Sequence, residues 1–241
     1  MAEVVKLLTH AYTDFLVHGH IPPTDVIKLI ISKMLGYGIL LFSTLVKLPQ
    51  VANVLRAHSA DGLSVVSCEL ETWGLLVHTA YGYLKGLAFS TYGEASILFA
   101  QNVLLLALIY KYNRMPLSRR LAAVILLGGA IAAVLTGHVS MALISHAYDL
   151  NNIILMSARL PQILQNFSAR STGQLSVITY AANTLGCVAR LFTTMQEGGG
   201  SAMFRQYCIS LVLNGILVTQ ILVFGNKGVA PKKAKPAAKR A

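Results

Sequence analysis

Lys47-Leu48-Pro49-Gln50 begins a stretch that continues through Leu63-Ser64-Val65 and returns 112 residues later. The second copy begins Arg159-Leu160-Pro161-Gln162 and continues through Leu175-Ser176-Val177. Between residues 47 and 78, ten of 32 positions are identical at this spacing, without a gap. Chance matches are common among apolar residues but not among Pro-Gln pairs and Leu-Ser-Val triplets. The pattern therefore indicates an internal duplication.

Charged residues are scarce in this chain. They make up 12% of the sequence, whereas apolar residues make up 55%, and a soluble domain carries about 25% charged residues. The charges cluster between long apolar runs, which predicts a protein that crosses a membrane several times. Three cysteines lie inside apolar runs, so we expect no disulfide framework. The first strong apolar run begins near Val26, so we expect no cleaved signal peptide.

Metal ligands and cofactor motifs do not form a recognisable pattern. The pair His18-Gly19-His20 has no neighbouring cysteine or acid to complete a metal site, so we interpret it as a solvated turn. The predicted loops are short and carry no paired carboxylates. We therefore expect no cofactor, no metal, no nucleic-acid partner and no enzymatic activity.

The apolar runs predict seven membrane-spanning helices, each near the roughly 20 residues that a bilayer requires. The predicted spans are 27–46, 64–84, 94–111, 121–137, 139–158, 176–194 and 206–224. The repeat maps the first three spans onto the last three and leaves the fourth outside. Three helices end on the far side of the membrane, so one extra helix lets the second triplet insert in the same orientation. The predicted fold class is all-α and transmembrane, with two parallel three-helix repeats joined by a linker helix, a 3+1+3 arrangement.

This arrangement divides the chain into five predicted segments. Residues 3–17 place apolar side chains on one helical stripe, which predicts an amphipathic helix at the lumenal membrane surface. In the linker, Gly128 and Gly129 suit close helix packing. The basic tail cannot build a core, so we expect disorder, with lipid headgroup binding or a purely topological role. The segments are 1–25 (amphipathic), 26–112 (first repeat), 113–138 (linker helix), 139–225 (second repeat) and 226–241 (tail).

Basic residues predict the orientation. Fourteen of the 20 Lys and Arg residues fall on one side of the predicted spans, including six in the tail. That side should be cytosolic, which places the N-terminus in the lumen and the C-terminus in the cytosol. The sequon Asn166-Phe167-Ser168 then falls in a predicted cytosolic loop and should stay unmodified.

The two Pro-Gln pairs are predicted at the cytosolic ends of the first and fifth spans. Proline removes a backbone donor and bends or ends a helix, and the adjacent glutamine can donate to a freed carbonyl. The pairs could act as hinges or could mark fixed helix ends. The hinge candidates are Pro49, Gln50, Pro161 and Gln162.

Polar residues recur inside the predicted spans, where their burial is costly. On the second span they recur every seven residues, which returns a helix to within about 20° of its starting direction. Their counterparts in the second repeat are also polar. The two stripes consist of Ser64, Glu71 and His78 and of Ser176, Asn183 and Arg190. Further polar candidates inside spans are Asn102, Asn214, Asp149 and Asn152.

Two interpretations of these residues stay open. They could line a substrate cavity between the triplets, or they could bond helix to helix, with Glu71 paired to Arg190. We favour the cavity, because helix bonding does not explain the symmetric placement. The register predicts Glu71 level with Asn183 and His78 level with Arg190. Arg190 would suit a phosphate, and the amides would suit sugar hydroxyls. Glu69 lies on a different face of this helix from Glu71, so it needs another partner or a protonated state, and the sequence does not identify that partner.

The paired Leu-Pro-Gln motifs, each followed by Leu-Ser-Val, resemble the PQ-loop superfamily, which includes SWEET sugar transporters and cystinosin relatives. Two stretches are more specific, Thr172-Gly173-Gln174-Leu175-Ser176 and Ala189-Arg190-Leu191-Phe192-Thr193-Thr194-Met195-Gln196-Glu197. They are similar to the mannose-P-dolichol utilization defect 1 family, and the resemblance extends over most of residues 30–224.

This resemblance implies a multi-pass endoplasmic reticulum protein needed for the use of dolichol-phosphate-mannose and dolichol-phosphate-glucose. These donors serve lipid-linked oligosaccharide, N-glycan and GPI-anchor synthesis, and the protein would move or present the lipid-linked sugar. Its partners would be membrane lipid, the dolichol-linked sugar and glycosyltransferases. Two other functions stay open: transport of a free sugar or amino acid, with Asn102 and Asn214 in the places of SWEET-like sugar-binding amides, and a non-transporting accessory role for glycosyltransferases.

Overall fold

The structure is a computed structural model that describes residues 22–225 except Gln174, together with Lys6, Thr9 and Thr13. The side chains of Leu155, Met156 and Ala158 also lie outside the description. The predicted amphipathic helix over residues 3–17 therefore falls almost entirely outside the described residues, and the basic tail over 226–241 falls wholly outside them.

The described chain from residue 22 onward is helical, with short turns between helices, as predicted. Four stretches are long and apolar enough to cross a membrane: Thr24–Ala57, Phe89–Tyr112, Leu117–Leu135 and Gly200–Phe224. Each predicted span overlaps one long helix. The helices are α1 (Thr24–Val46), α2 (Leu48–Ala57), α3 (Val65–Leu84), α4 (Phe89–Tyr112), α5 (Leu117–Leu135), α6 (Met141–Ala169), α7 (Val177–Gln196) and α8 (Gly200–Phe224).

Several helices are longer than their predicted spans because polar residues continue them. The predicted fifth span ends at 158, but α6 continues to Ala169 and contains Pro161. The predicted fourth span begins at 121, whereas α5 begins at Leu117, directly after Pro116. Proline suits such a position, because the first helical amides need no partner within the helix. Hydropathy misplaces the end of a span when the terminal turn of the helix contains charged or polar residues. These residues can extend the helix because they find partners in the fold.

The duplication is visible in the turns. His58 and Arg170 both follow a helix with positive φ angles of 47° and 50°. Ser64 Oγ then accepts a hydrogen bond from the Ser67 amide at 3.2 Å, and Ser176 Oγ accepts one from the Thr179 amide at 3.3 Å. A serine in this position is a helix N-cap, which stabilises a helix by about 1 kcal/mol. The Leu-Ser-Val triplets thus begin α3 and α7 in the same way.

The two Pro-Gln pairs differ in their helices. Pro49 is the second residue of α2, which follows an interruption at Lys47. Pro161 lies within the continuous α6, so the predicted equivalence does not extend to the helix boundaries. The interruption at Lys47 is bridged from α4, where Gln101 donates to the Thr44 carbonyl at 2.7 Å and accepts from the Lys47 amide at 3.3 Å.

Within the described residues the chain forms two units. One comprises residues up to Asn152 together with Ala189–Gln206, and the other comprises Ile153–Val188 together with the residues from Tyr207. In the first unit, α1, α2 and α3 pack against α4. Close packing of small and branched side chains holds such helices together in lipid, where exclusion of water contributes little. The core residues here are Val51, Val54, Ala60, Cys68, Leu105, Leu106, Ile109 and Tyr110.

Helix α5, which corresponds to the predicted linker, packs loosely. None of its residues is buried. A methyl group added at Gly128 or Gly129 would meet nothing within 4 Å. The prediction that these glycines mediate close helix packing is therefore wrong for the described residues, and α5 must be held by other contacts.

Candidate functional site

A buried carboxylate lies just beyond the end of α7. The Glu197 side chain is 1% exposed and accepts four hydrogen bonds. Its Oε1 accepts from Ser32 Oγ at 3.0 Å. Its Oε2 accepts from Ser90 Oγ and Thr91 Oγ1, each at 2.7 Å, and from Lys33 Nζ at 3.1 Å. Ser32, Lys33, Ser90, Thr91 and Glu197 form the Glu197 cluster, which joins α1, the first turn of α4 and the end of α7.

A glycine on α1 permits this approach. Gly36 lies one turn after Ser32, and a Cβ atom at Gly36 would meet the Cβ and carbonyl oxygen of Ser90 at 3.1 Å each. Contacts that short are tighter than ordinary van der Waals packing, so a side chain here would push the first turn of α4 away. Gly36 therefore lets the Ser90 hydroxyl reach both Lys33 Nζ, at 3.2 Å, and the Glu197 carboxylate.

Charge and hydrogen bonding balance inside the cluster. Burial alone raises the pKa of Glu197, but hydrogen bonds from Thr91, Ser90 and Lys33 outweigh burial and lower that pKa below its ordinary value. The carboxylate is therefore ionised at neutral pH and pairs with the buried Lys33 ammonium. A buried ion pair is stable only when further hydrogen bonds satisfy both ions, and the hydroxyls of Ser32, Ser90 and Thr91 meet that need here.

The Arg190 side chain binds the first turn of α4 through the backbone carbonyl groups of that turn. Its guanidinium is buried and pairs with the Glu94 carboxylate. Its Nη1 donates to the carbonyl oxygens of Ser90 and Thr91 at 3.2 and 3.4 Å. Its Nε is buried with no hydrogen-bond partner among the described residues. The Glu197 cluster and the Arg190–Glu94 pair together fasten the last turns of α7 to α4 and α1.

His78 lies near a second buried group. The Tyr148 ring is fully buried, and its hydroxyl lies 3.2 Å from His78 Nδ1 and hydrogen-bonds to Gln206 Oε1. The next residue, Asp149, forms a bidentate ion pair with Arg205 at 2.7 and 2.8 Å. Because the Asp149 side chain is 40% exposed, this pair belongs to the surface of the unit.

Glu71 pairs with a lysine of the first Pro-Gln motif. Lys47 Nζ lies 2.7 Å from Glu71 Oε2, and the Glu71 side chain is 45% exposed. Arg190 and Glu71 therefore have separate partners, Glu94 and Lys47. The alternative in which Glu71 and Arg190 pair directly is not observed.

Glu69, for which the sequence predicted no partner, binds the linker helix. Arg119 of α5 donates to both of its carboxylate oxygens, Nε at 3.0 Å and Nη2 at 2.7 Å, and the Tyr110 hydroxyl donates to it as well. Arg120 adds a hydrogen bond from Nη2 to the Tyr110 carbonyl at 3.0 Å. The sequence contained one signal of such a partner: the repeat counterpart of Glu69 is Ala181, which carries no charge. An unmatched acid in a span suggests a partner outside the repeat.

The two matched asparagines bind neighbouring protein groups. Asn102 Nδ2 donates to the Cys68 carbonyl at 3.1 Å and to Thr72 Oγ1 at 2.9 Å, which ties α4 to α3. Asn214 Oδ1 accepts from Arg159, and its Nδ2 donates to the Ser210 carbonyl at 2.8 Å. Both side chains are almost fully buried. The Asn102 amide thus joins α4 to α3, and the Asn214 amide joins α8 to Arg159 of α6.

Three further predicted site residues form hydrogen bonds within or at the start of their own helices, and two others differ from each other in solvent exposure. Ser64 and Ser176 cap helices, as described above. Gln162 Nε2 donates to Asn166 Oδ1 at 2.9 Å within α6. Asn183 is exposed, and Asn152 is buried with an Oδ1 atom that has no partner among the described residues.

The sequon of Asn166 does not lie in a loop, contrary to the prediction. It lies within α6, where Asn166 is 2% exposed. Its Nδ2 donates to Gln220 Oε1 at 3.1 Å. Burial alone would prevent modification of this nitrogen, so an unmodified Asn166 carries no information about membrane orientation.

Comparison with protein families matches the PQ-loop repeat over residues 31–91 and 150–201. The chain is also 31% identical over 169 residues to human solute carrier family 66 member 3, covering 70% of this chain and 81% of that relative. This chain belongs to the PQ-loop repeat family. All five residues of the Glu197 cluster fall inside the two matched PQ-loop segments, and so does Arg190.

Membership of the PQ-loop family agrees with a helical membrane protein built from a duplication. Among the described residues no group of three or more His, Cys, Asp or Glu could hold a metal ion. What this PQ-loop protein offers chemically is a set of buried ion pairs at helix ends.

Proposed function

We propose that this PQ-loop protein moves or presents a dolichol-phosphate-linked mannose or glucose in the endoplasmic reticulum membrane, as a non-enzymatic step of lipid-linked oligosaccharide, N-glycan and GPI-anchor synthesis. The observation that carries the proposal is the pairing of two buried cations, Lys33 and Arg190, with carboxylates at one set of helix ends. The resemblance of residues 172–176 and 189–197 to the mannose-P-dolichol utilization defect 1 family supports the choice of substrate.

The proposed mechanism is an exchange of anions. In the closed state Glu197 and Glu94 neutralise Lys33 and Arg190. A substrate phosphate would replace these carboxylates, and the fork of the Arg190 guanidinium can bind two phosphate oxygens at once. Replacement would release the end of α7 from α4 and open this end of the protein.

The sugar would bind among the buried amides. Asn102 Oδ1 and Asn152 Oδ1 are buried acceptors without partners among the described residues. An unsatisfied buried acceptor costs about 1–3 kcal/mol, and a sugar hydroxyl could satisfy it after opening. We assign Ser64, Glu71, His78 and Asp149 to this pathway as gating or capping residues, and we propose equivalent roles within the second repeat for Ser176, Asn183 and Asn214.

The proposed architecture is the parallel 3+1+3 arrangement, with α5 as the linker, the N-terminus in the lumen and the C-terminus in the cytosol. Matching helix caps at Ser64 and Ser176 and matching φ angles at His58 and Arg170 support equivalent triplets. The Lys and Arg distribution supports the orientation. Pro49 with Gln50 and Pro161 with Gln162 are the proposed hinges on the cytosolic side, where Pro49 already adjoins a helix interruption.

A second candidate function is the transport of a free sugar or amino acid. The name of the human relative, a solute carrier, favours it. In that case the Asp149–Arg205 pair, which is partly exposed, would be a site of ion coupling.

Reconstitution in sealed vesicles tests these proposals. Vesicles carrying labelled dolichol-phosphate-mannose in one leaflet should show protein-dependent appearance of intact label in the other leaflet. Arg190→Gln should abolish this appearance, and Arg56→Gln should not, because Arg56 is exposed on α2. Uptake of free labelled mannose instead would support the second candidate. Absence of both activities, with glycosylation still lost in cells that lack the protein, would indicate an accessory role and overturn the proposal.

A further inference from the structure

An apolar groove lies between α4 and α5 and runs along both helices. Its volume is about 670 Å³. One end of the groove, beside the turn that joins the two helices, carries Lys111 of α4 and Arg120 of α5. The rest of the lining is apolar or aromatic apart from Gly128, and no acidic residue contributes to it.

The chemistry of this groove has two parts. The apolar walls match a hydrocarbon chain, and the basic end matches an anion. Arg120 contributes one hydrogen bond to the Tyr110 carbonyl, and its Nε atom is buried with no partner among the described residues. The charged guanidinium of Arg120 and the ammonium of Lys111 can donate to phosphate oxygens at this end of the groove.

The length of the groove indicates which hydrocarbon chain fits. From Phe99 to Lys111 the α4 wall rises twelve residues, or about 18 Å. One leaflet of a bilayer has a hydrocarbon depth of about 15 Å. The groove therefore accommodates an acyl chain of a single leaflet, whereas a long polyprenyl chain would extend well beyond it.

A smaller cavity lined by α3, α4 and α5 is a weaker candidate. It has a volume of about 300 Å³ and contains Arg119 at its polar end. Glu69, which also lines it, already binds Arg119 in a bidentate pair. The carboxylate would repel a phosphate, so the anion site belongs to the larger groove.

We infer that the groove between α4 and α5 binds an anionic glycerophospholipid of the surrounding bilayer, with its phosphate held by Lys111 and Arg120. The lipid would fill the space beside a linker helix that has no buried residue of its own. It would thereby fasten α5 to α4 along their length. This inference goes beyond the proposed function and does not depend on it.

Lipid retention by the purified full chain tests the inference. The protein is incubated in detergent with phosphatidylserine or phosphatidylcholine, each with matched acyl chains, and bound lipid is counted by native mass spectrometry. Phosphatidylserine should be retained preferentially. Arg120→Gln and Lys111→Gln should each weaken its binding about fivefold, the effect of removing one basic residue from an anionic lipid site.

Two matched control pairs locate the site. Arg114→Gln removes the same charge from the same turn, but Arg114 does not line the groove, so binding should be unchanged. Gly128→Leu fills the groove, while Gly129→Leu adds the same volume to open space outside its lining. Only Gly128→Leu should reduce retention. This pair keeps the test valid if Arg120→Gln fails to fold.

Three outcomes would overturn the inference. Equal retention of phosphatidylcholine would show that the basic end does not select a headgroup. Equal weakening by Arg114→Gln would show only diffuse electrostatic attraction. Retention of a polyprenyl phosphate in place of phosphatidylserine, dependent on Arg120, would assign the groove to a substrate lipid.

Discussion

At the scale of single residues, the most consequential feature is a carboxylate that no repeat pattern identifies. The counterpart of Glu197 in the first repeat would be Lys85, which has the opposite charge. Its four hydrogen bonds come from two helices distant in sequence. Glu197 can join α1, the first turn of α4 and the end of α7 because its position after the last turn of α7 leaves its side chain free to enter the fold.

Glu197→Gln should destabilise the protein by about 3–5 kcal/mol, because it leaves the buried Lys33 ammonium without a counter-charge. Lys33→Met should destabilise it similarly. The double variant should recover much of the loss, because neither buried charge is then unpaired. Thermal unfolding of the four proteins in detergent gives the coupling energy. Additive losses in the double variant would contradict the ion-pair account.

The lowered pKa of Glu197 predicts an acid-dependent loss of stability. The unfolded carboxyl titrates near pH 4.3, and the folded one titrates lower. Its contribution is therefore complete above the unfolded pKa and disappears as pH falls through the folded pKa. Thermal midpoints measured from pH 7 down to pH 3 should fall more steeply for the wild type than for Glu197→Gln. Asp61→Asn, an exposed loop variant, should keep the steep wild-type dependence.

At the scale of helices, the linker α5 contrasts with α4. Helix α4 is the centre of the first unit, with Asn102 and several apolar residues buried on it. Helix α5 is held at its first turns by Arg119 and Arg120, which bond to Glu69 and to the Tyr110 carbonyl. A helix that is held at one end can rotate about that end, and the contacts of Arg119 and Arg120 determine how strongly the start of α5 is held.

Arg119→Gln should loosen the start of α5. The Arg119 and Glu69 side chains are 39% and 23% exposed, so solvent screening keeps the loss of stability small. Hydrogen exchange of the amides near the start of Leu117–Leu135 should nevertheless accelerate, because local opening of this end becomes easier. Arg114→Gln, which removes a charge from the adjoining turn, should leave this exchange unchanged. Unchanged exchange in Arg119→Gln would mean that apolar contacts alone position α5.

At the scale of the whole molecule, orientation is the property to test first. Glycosylation of the buried Asn166 cannot report the orientation. The test therefore uses accessible positions in turns that are predicted on opposite sides of the membrane. Lys85 follows α3 and Asn113 follows α4, and both side chains are exposed.

Cysteines introduced at these two positions should react differently in sealed endoplasmic reticulum vesicles whose cytosolic face is outward. A membrane-impermeant maleimide should label Asn113→Cys directly and Lys85→Cys only after permeabilisation, because basic turns face the cytosol. The native cysteines are replaced by serine in both proteins. The reverse labelling would invert the proposed topology, and labelling of both sites without permeabilisation would contradict a helix that spans the bilayer between them.

The sequence by itself determined the helical membrane class, the duplication and the family. These follow from local properties: hydropathy decides which runs enter lipid, and the serine of each Leu-Ser-Val triplet bonds to an amide three residues later and so begins α3 or α7. Only the tertiary structure decided which polar residues meet. Glu71 binds Lys47, Asn102 binds the Cys68 carbonyl, and Arg190 binds Glu94, and the repeat indicated none of these partners. A buried ion pairs with whichever opposite charge the packing brings within about 3 Å, and periodicity along one helix cannot specify the neighbour supplied by another.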